Sequence, residues 1–154
     1  MLPLISALCF PYFYFGYFMD LQVGDMLNEI ARELHQNGTP IRLQWNTVPA
    51  GAVPDPVDGS VAGLVPQTKT LPAFVHQVQD AGSSSVRQFN EVEVGDLILD
   101  FPGDAAIDGL RDLVFVVNGK PYVAKQIGEK LAQTWDVTVQ GKQMFRTVLV
   151  RVAT

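Results

Sequence analysis

The residue types that usually carry catalysis or metal binding are few in this chain of 154 residues. Cys9 is its single cysteine, and neither His35 nor His76 lies near it in sequence to act as the base that would form a thiolate. Two isolated histidines do not make a metal site, and the spacings C-x-x-C and H-E-x-x-H are absent. The run Ser83–Ser85 lacks the glycines of a G-x-S-x-G turn, and no glycine-rich phosphate loop occurs. We therefore expect a protein that is not an enzyme and that holds no cofactor and no metal ion.

A series of aspartates spaced four residues apart is the other pattern that draws attention to side-chain chemistry. On a helix this spacing would form an acidic stripe, but Pro102-Gly103 interrupts such a helix, and the D-x-D-x-D-G pattern of calcium loops is absent. Aspartate is common in turns and at strand ends, so the series predicts turns and solvated strand ends. The alternative is that the series forms a negatively charged surface that serves a function. The series consists of Asp96, Asp100, Asp104, Asp108 and Asp112.

The overall balance of charge argues against two classes of partner. The chain has 16 acidic and 11 basic residues, a net charge of −5 and no cluster of Lys and Arg. Such a chain is poorly suited to gripping nucleic-acid phosphates or to anchoring on an anionic membrane surface. With 47% hydrophobic and 18% charged residues it has the composition of one folded domain, and a single cysteine rules out a disulfide within the chain.

Residues 1–18 differ from the rest of the chain, because they carry no charge and are rich in aromatic residues. A signal peptide would need basic residues before the apolar run, and a membrane span would need about 20 apolar residues without the breaks at Pro3, Pro11 and Gly16. We therefore favour two other interpretations and leave both open. Either translation begins at Met19, or the segment is an arm that packs on a partner subunit. The aromatic residues of this possible arm are Phe10, Tyr12, Phe13, Tyr14, Phe15, Tyr17 and Phe18.

One helix is predicted over residues 25–36, where apolar residues recur at helical spacing. Leu27, Ile30, Ala31 and Leu34 occupy one face of that helix. Asn37-Gly38 supplies the left-handed residue that commonly ends a helix. The alternation of apolar and polar residues over 41–45 then predicts a half-buried strand.

The segment Thr47–Thr70 is predicted to be a long loop, because it contains four prolines and three glycines. Loops of this length are uncommon in compact domains and are usually functional or disordered. Prolines stiffen the segment, so we expect an extended finger that contacts a neighbouring subunit or a channel, with a mobile surface loop as the alternative. The residues assigned to this contact are Pro49, Pro54, Asp55, Pro56, Asp58, Gly59, Gly63 and Pro66.

From Leu71 onward the chain is predicted to form short strands joined by turns. Strands are expected over 71–79, 86–90 and 92–101, the last with a bend at Gly95-Asp96. The pair Asn118-Gly119 predicts a two-residue hairpin turn between strands 113–117 and 121–125. Residues 128–133 are expected to be a loop or one helical turn, and strands 134–139 and 144–152 flank a turn at 140–142. The predicted fold is mainly β: a small antiparallel barrel or sandwich of about six strands in a single domain, 19–154, with one flanking N-terminal helix.

The order of these strands resembles that of head-completion proteins of tailed bacteriophages, which are also called stopper, head-closure or head–tail joining proteins. Three stretches within residues 71–152 carry the resemblance. The first is similar to the family's Gly-Asp-containing strand, the second to its strand, tight turn and return strand, and the third to its closing hairpin. They are VEVGDLILDFP at 92–102, LVFVVNGKPYV at 113–123, and TWDV at 134–137 followed by FRTVLVR at 145–151.

The resemblance implies a β-barrel subunit of the phage neck that forms a homo-oligomeric ring, hexameric or dodecameric, without catalysis and without a cofactor. Such a ring is assembled in the host cytoplasm and sits in the virion between portal and adaptor proteins above and the tail terminator below. The DNA passes through its channel without specific binding, and no membrane is involved. In some members a loop before the barrel strands projects into the channel and helps to retain the DNA; the corresponding residues here are 47–70.

Two other functions stay open. One is a tail terminator or tail-tube subunit of the same particle, which a second helix across the sheet would favour. The other is a cellular, non-phage binding module of the oligonucleotide-binding or SH3-like type, which a basic face with exposed aromatic residues would favour. Tyr122 and Trp135 are the aromatic residues of the predicted strands that could serve such a face, and we expect both to lie in the core instead.

Overall fold

The computed structural model describes residues 11–82, 86, 89–127 and 129–154, with side chains from residue 22 onward. Within these residues one long helix precedes nine strands. Their bounds are α1 Pro11–Asn37, β1 Thr39–Thr47, β2 Val65–Gln77, β3 Leu97–Pro102, β4 Arg111–Val117, β5 Lys120–Val123, β6 Gln126–Ile127, β7 Lys130–Leu131, β8 Thr134–Val139 and β9 Lys142–Val152.

Six of the strands close into an antiparallel barrel. The neighbours follow the order β3-β2-β1-β4-β5-β9, and β9 also pairs with β3, which completes the ring. Leu97 lies opposite Val150 at one end of this closing pair, and Pro102 lies opposite Phe145 at the other. β8 pairs with β9 outside the ring, and β6 and β7 form a separate small hairpin. The predicted mainly-β fold with one N-terminal helix is confirmed, and the architecture is a closed barrel.

The barrel interior is filled by side chains that alternate along each strand. Ile41 and Leu43 of β1 are fully buried, as is Phe115 opposite Leu43 on β4. The ring of Phe115 lies 6.0 Å from that of Phe101, centroid to centroid. Burying a side chain of this size contributes about 1.5–3 kcal/mol, so the burial of this cluster favours the closed barrel.

A second, smaller apolar cluster lies on the outside of the barrel. Ile98 and Leu149 face each other across β3 and β9, on the side opposite to the interior. The segment between β2 and β3 crosses over them and contributes Val78, Val86 and Phe89. The connection between the two strands is therefore packed against the sheet, although it is not itself a strand.

The helix is longer than predicted: the sequence pattern indicated a start at Asp25, and the helix begins at Pro11. It contacts β2, β3 and β9, three neighbours in the barrel wall, and its Val23 and Leu34 are buried. The predicted stripe is confirmed at Leu34 but not at Ala31, which is exposed. The helix ends at Asn37 as expected.

The conformation predicted for Gly38 is wrong, because its φ lies outside the left-handed region. Its N–H donates to Leu34 O at 2.9 Å. A Cβ added at Gly38 would lie 2.3 Å from the same oxygen, so this position needs glycine for a close approach between backbone atoms.

Two tight hairpin turns are confirmed. Asn118 and Gly119 both have positive φ values, 49° and 79°, as a type I′ turn requires. Gln140 and Gly141 have values of 51° and 76° in the turn between β8 and β9. The residues of 126–131 form the hairpin of β6 and β7 instead of a helical turn, with Gly128 outside the described residues.

The loop predicted over Thr47–Thr70 ends earlier in the structure than expected. β2 begins at Val65 and pairs with β1 in continuous register from Val65–Thr47 to Ala73–Thr39. β3 joins the other side of β2 only from Phe74 onward. Proline is tolerated where a strand is an edge, so Pro66 does not prevent pairing here. The loop itself consists of residues 48–64, named here the finger loop.

One predicted strand is replaced by a turn, and another begins later in the chain than expected. In the described part of 86–90, Phe89 N–H donates to Val86 O in a turn. The strand expected from Val92 begins only at Leu97, because Asp96 N–H turns back to Glu93 O. These turns let the segment cross the outer face of the barrel.

Candidate functional site

The barrel has two different ends, and the antiparallel ladder fixes which residues lie at each. β1 begins beside the end of β4, where Ile41 pairs with Val117, and it ends beside the start of β2, where Thr47 pairs with Val65. The finger loop therefore projects from one end of the barrel. The turn at Asn118-Gly119 lies at the opposite end.

The finger loop is folded on itself at its tip. Asp55 N–H donates to Ser60 O at 2.7 Å, and Gly59 N–H donates to Asp55 O at 2.8 Å. The carboxylate of Asp55 accepts the Val57 N–H at 2.7 Å, and that of Asp58 accepts the Ser60 N–H at 2.8 Å. Gly51, Gly59 and Gly63 have positive φ values, which glycine adopts without strain. The tip thus has a defined shape set by its aspartates and glycines.

This tip presents apolar side chains and negative charge to the outside. Val57 is 93% exposed and Val53 is 83% exposed, the two largest exposed fractions among the large apolar side chains of the described residues. Asp55 and Asp58 are the only charged residues of 48–64. Hydrogen bonds from Ser60, first its side chain and then its backbone, lower the pKa of Asp58, which is ionised at neutral pH.

The structure brings most of the predicted finger residues together in this loop. Pro66 is the exception, since it lies in β2 opposite Asn46. The others lie between the end of β1 and the start of β2: Pro49, Pro54, Asp55, Pro56, Asp58, Gly59 and Gly63.

The opposite end of the barrel holds an open depression of about 360 Å³ that the sequence did not predict. We call it the barrel mouth. Polar side chains of Gln77, Asn118 and Lys120 form its exposed rim, and Lys120 Nζ lies 5.9 Å from the centroid of the Tyr122 ring. Its apolar lining is Val75, Leu97, Val117 and Tyr122. The Asn-Gly-Lys turn is the only part of it that the sequence signals.

A cluster of charges fastens the segment before β3 to the end of β9. Arg151 donates from Nε and Nη2 to the two carboxylate oxygens of Asp96 at 2.8 and 2.9 Å, and from Nη2 to Glu91 O at 2.8 Å. Asp96, only 3% exposed, also accepts the Glu93 N–H at 2.8 Å. Burial by itself would raise the pKa of Asp96, but the hydrogen bonds from Arg151 and Glu93 and the Arg151 charge together lower it. The bond to Asp96 likewise raises the pKa of Arg151.

The aspartate series does not form a stripe in the structure, because its members are tied to different neighbours. Asp100 accepts the Thr147 hydroxyl at 2.7 Å and lies 3.1 Å from His76 Nε2. Asp108 forms an ion pair with Arg146. Asp112 has a positive φ of 55° and accepts a hydrogen bond from Asn46 at 3.3 Å, while Asp104 lies in an exposed turn. Turns and strand ends therefore account for most of the series, and Asp96 is instead a buried member of an ion pair.

The core position expected for Trp135 is wrong, whereas that of Tyr122 is confirmed. Tyr122 is 8% exposed and belongs to the barrel core. Trp135 is 50% exposed, because β8 pairs with β9 outside the ring and has no layer over it at this point. Val137, two residues further on the same face, is also exposed.

Several predicted features lie outside the described residues. They are Cys9, Phe10, the serines at 83–85 and the side chains of the other arm residues, Tyr12, Phe13, Tyr14, Phe15, Tyr17 and Phe18. In the part of the chain that is described, no group of three or more His, Cys, Asp or Glu side chains could hold a metal ion. The same part contains no helix with the length and hydropathy to span a membrane.

Comparison with known proteins finds no family model, no curated protein and no solved structure that matches this chain. The resemblance to head-completion proteins therefore remains a prediction.

Proposed function

We propose that this chain is a structural subunit of the neck of a tailed bacteriophage, where copies of it form a ring that closes the DNA-filled head and docks the tail. It acts without catalysis and without a cofactor. Its partners are other copies of itself, the portal and adaptor proteins above and the tail terminator below, and DNA passes through the ring without specific binding. It is assembled in the host cytoplasm and belongs to the virion.

The observation that carries this proposal is the closed six-stranded barrel with an ordered finger loop at one end and an open mouth at the other. A ring of identical subunits joined head to tail needs two different surfaces on each subunit. The barrel supplies two such surfaces on separate ends.

The charge of the chain supports a role beside moving DNA. The finger loop carries two carboxylates and no basic residue, and the whole chain has a net charge of −5. Carboxylates repel phosphates, so a channel lined by such subunits would let DNA slide without a tight grip.

A reconstitution with DNA-filled heads tests the proposal. The purified chain is added to heads that lack their neck proteins, prepared from a phage whose genome encodes it, and the heads are imaged by negative stain. We expect a ring of density below the portal and protection of the packaged DNA from added nuclease. Heads that stay bare and nuclease-sensitive at saturating protein concentration would contradict the proposal.

A second candidate, a binding module, is favoured by the exposed side chain of Trp135. Aromatic residues on a sheet surface can stack on nucleic-acid bases. Asp136 beside Trp135 and the acidic net charge both oppose phosphate binding. Titration of the chain with fluorescent single-stranded DNA at low salt distinguishes the two candidates, and we expect no binding.

A further inference from the structure

We propose that copies of this chain associate head to tail by inserting the tip of the finger loop of one copy into the barrel mouth of the next. This inference rests on the proposed function in requiring that copies associate, and it names the contact between them. The sequence predicted that this loop contacts either a channel or a neighbouring subunit. The inference assigns residues 48–64 to the contact with a neighbouring subunit.

The position of the two surfaces suits a head-to-tail contact. β1 has nine residues, begins at the mouth end and leads directly to the finger loop, so the two surfaces are separated by about 30 Å at ~3.3 Å per residue. One copy therefore cannot fill its own mouth with its own finger. A contact between unlike surfaces repeats from copy to copy, and it closes into a ring when the rotation between neighbours allows it.

The apolar parts of the two surfaces complement each other. Val53 and Val57 project from the tip with almost their whole side chains in water. The mouth offers an apolar floor made by Val75, Leu97 and Val117, in a depression of about 360 Å³. This volume lies near the lower limit of small-ligand sites, about 300–1,000 Å³, and suits short branched side chains. Inserting the valines would remove their own exposed apolar surface from water, and on the mouth side mainly that of Val75, because Leu97 and Val117 are already buried.

The charged parts also complement each other. Asp55 and Asp58 flank Val57 at the tip, and Lys120 stands on the rim of the mouth. Among the described side chains none forms an ion pair with Lys120, and the two aspartates accept hydrogen bonds only from groups of their own loop. Asn118 and Gln77 add polar groups to the rim that can bond the exposed backbone of an inserted loop.

Charge reversal tests the contact. Lys120→Glu places two acidic surfaces together, and Asp55→Lys with Asp58→Lys places two basic surfaces together, so each variant alone should associate at least tenfold more weakly than the parent chain. An equimolar mixture should recover association, because each mouth then meets a tip of opposite charge in both directions. The triple variant should recover it without mixing. Association is measured by sedimentation velocity over a range of protein concentrations.

Matched controls carry the same charge changes elsewhere. Lys142→Glu, and Asp25→Lys with Asp104→Lys, alter exposed residues that belong neither to the lining of the mouth nor to the finger loop, so their association should equal that of the parent chain. Thermal unfolding of every variant shows whether the barrel is intact. Failure of the mixture and of the triple variant to recover association, while the parent chain associates, would overturn the inference and leave the proposed function standing.

A disulfide test avoids dependence on the aspartates, whose carboxylates also shape the loop. In a Cys9→Ser chain, Val57→Cys together with Asn118→Cys should give a ladder of reducible multimers on mild oxidation. Val57→Cys with Asp104→Cys should not, because residue 104 lies at the finger end of the barrel. The absence of a ladder, or a parent chain that stays monomeric at millimolar concentration, would refute the contact. Bare heads in the reconstitution would refute the proposed function whatever the ladder shows.

Discussion

Replacing Asp96 with asparagine should destabilise the barrel by about 2 kcal/mol. The wild-type carboxylate is 3% exposed and accepts two hydrogen bonds from Arg151 and one from the Glu93 N–H. A hydrogen bond to a charged group is worth about 1.5–3 kcal/mol. Asparagine keeps one oxygen acceptor but loses the negative charge and the bidentate pair of hydrogen bonds with Arg151. Since the Arg151 side chain is 45% exposed, water can solvate it after the change, which places the loss near the lower part of that range.

The assay is urea unfolding at pH 7, supported by thermal unfolding. A loss of about 2 kcal/mol corresponds to a fall in Tm of about 4–8 °C for a chain of this size. Lys125→Met is the matched control, because it removes the exposed ion pair between Lys125 and Glu91, where such pairs are worth about 0–1 kcal/mol. Equal losses for the two variants would refute the assignment of Asp96 as the stronger anchor.

The pH dependence provides a second criterion with a fixed sign. The pKa of Asp96 is lower in the folded chain than its ordinary value of 3.8, so its ionised form stabilises the fold above pH 3.8. That contribution is lost as the pH falls through the lowered value. The gap in unfolding free energy between wild type and Asp96→Asn should therefore be constant from pH 7 to 5 and shrink below pH 4. A gap that stays constant down to pH 2.5 would contradict this explanation.

A double-mutant cycle separates the pair from its surroundings. Arg151→Met leaves the buried Asp96 carboxylate without its cation, so it should cost more than Asp96→Asn. The double variant should cost less than the sum of the two single changes, with a coupling of about 1–2 kcal/mol. Additive losses would show that the two side chains stabilise the fold independently.

Four further changes probe other parts of the chain. Gly103→Ala should cost more than about 2 kcal/mol in urea unfolding, because its Cβ would lie 2.1 Å from Gln143 O, whereas Gly24→Ala, with open space around it, should stabilise the helix by about 0.5–1 kcal/mol; the opposite order would refute the packing argument. Replacing residues 52–62 by a short Gly-Ser linker should leave the Tm within a few degrees and abolish self-association in sedimentation; a chain that no longer folds would make the loop structural. Trp135→Gln should change the unfolding free energy by less than about 1 kcal/mol, because the side chain is half exposed; a loss above 3 kcal/mol would place it in a core.

Local features were predictable where a short stretch of sequence determines its own conformation. Asn118-Gly119 specified a two-residue turn, because few residues adopt positive φ at both positions. Alternation over 41–45 placed Ile41 and Leu43 on the buried face, where both are found. The helical stripe likewise identified Leu34 as a buried position. These signals were sufficient for a mainly-β fold with one helix.

Features that depend on distant partners could not be predicted in the same way. The polar stretch at 67–70 forms a strand only because β1 pairs with it, and its own residues carry no alternation of apolar and polar types. The exposure of Trp135 depends on β8 lying outside the closed ring. The barrel mouth is lined by residues of four strands, β2 to β5, so the pattern of no single segment predicts it. The finger loop was predicted as a segment, but the shape of its tip was not.

The way in which β9 closes the barrel has a consequence for how the chain folds. β9 pairs with β3, β5 and β8, and its contact with β3 joins residues as far apart as Leu97 and Val150. Pairings across such separations form slowly, because a long stretch of chain must be ordered first. During synthesis the strands β1 to β5 emerge from the ribosome before β9, so β3 and β5 present unpaired edges for that interval. Unpaired edges invite pairing with other chains. The rate at which nascent chains acquire β9 therefore sets how long this protein is open to aggregation.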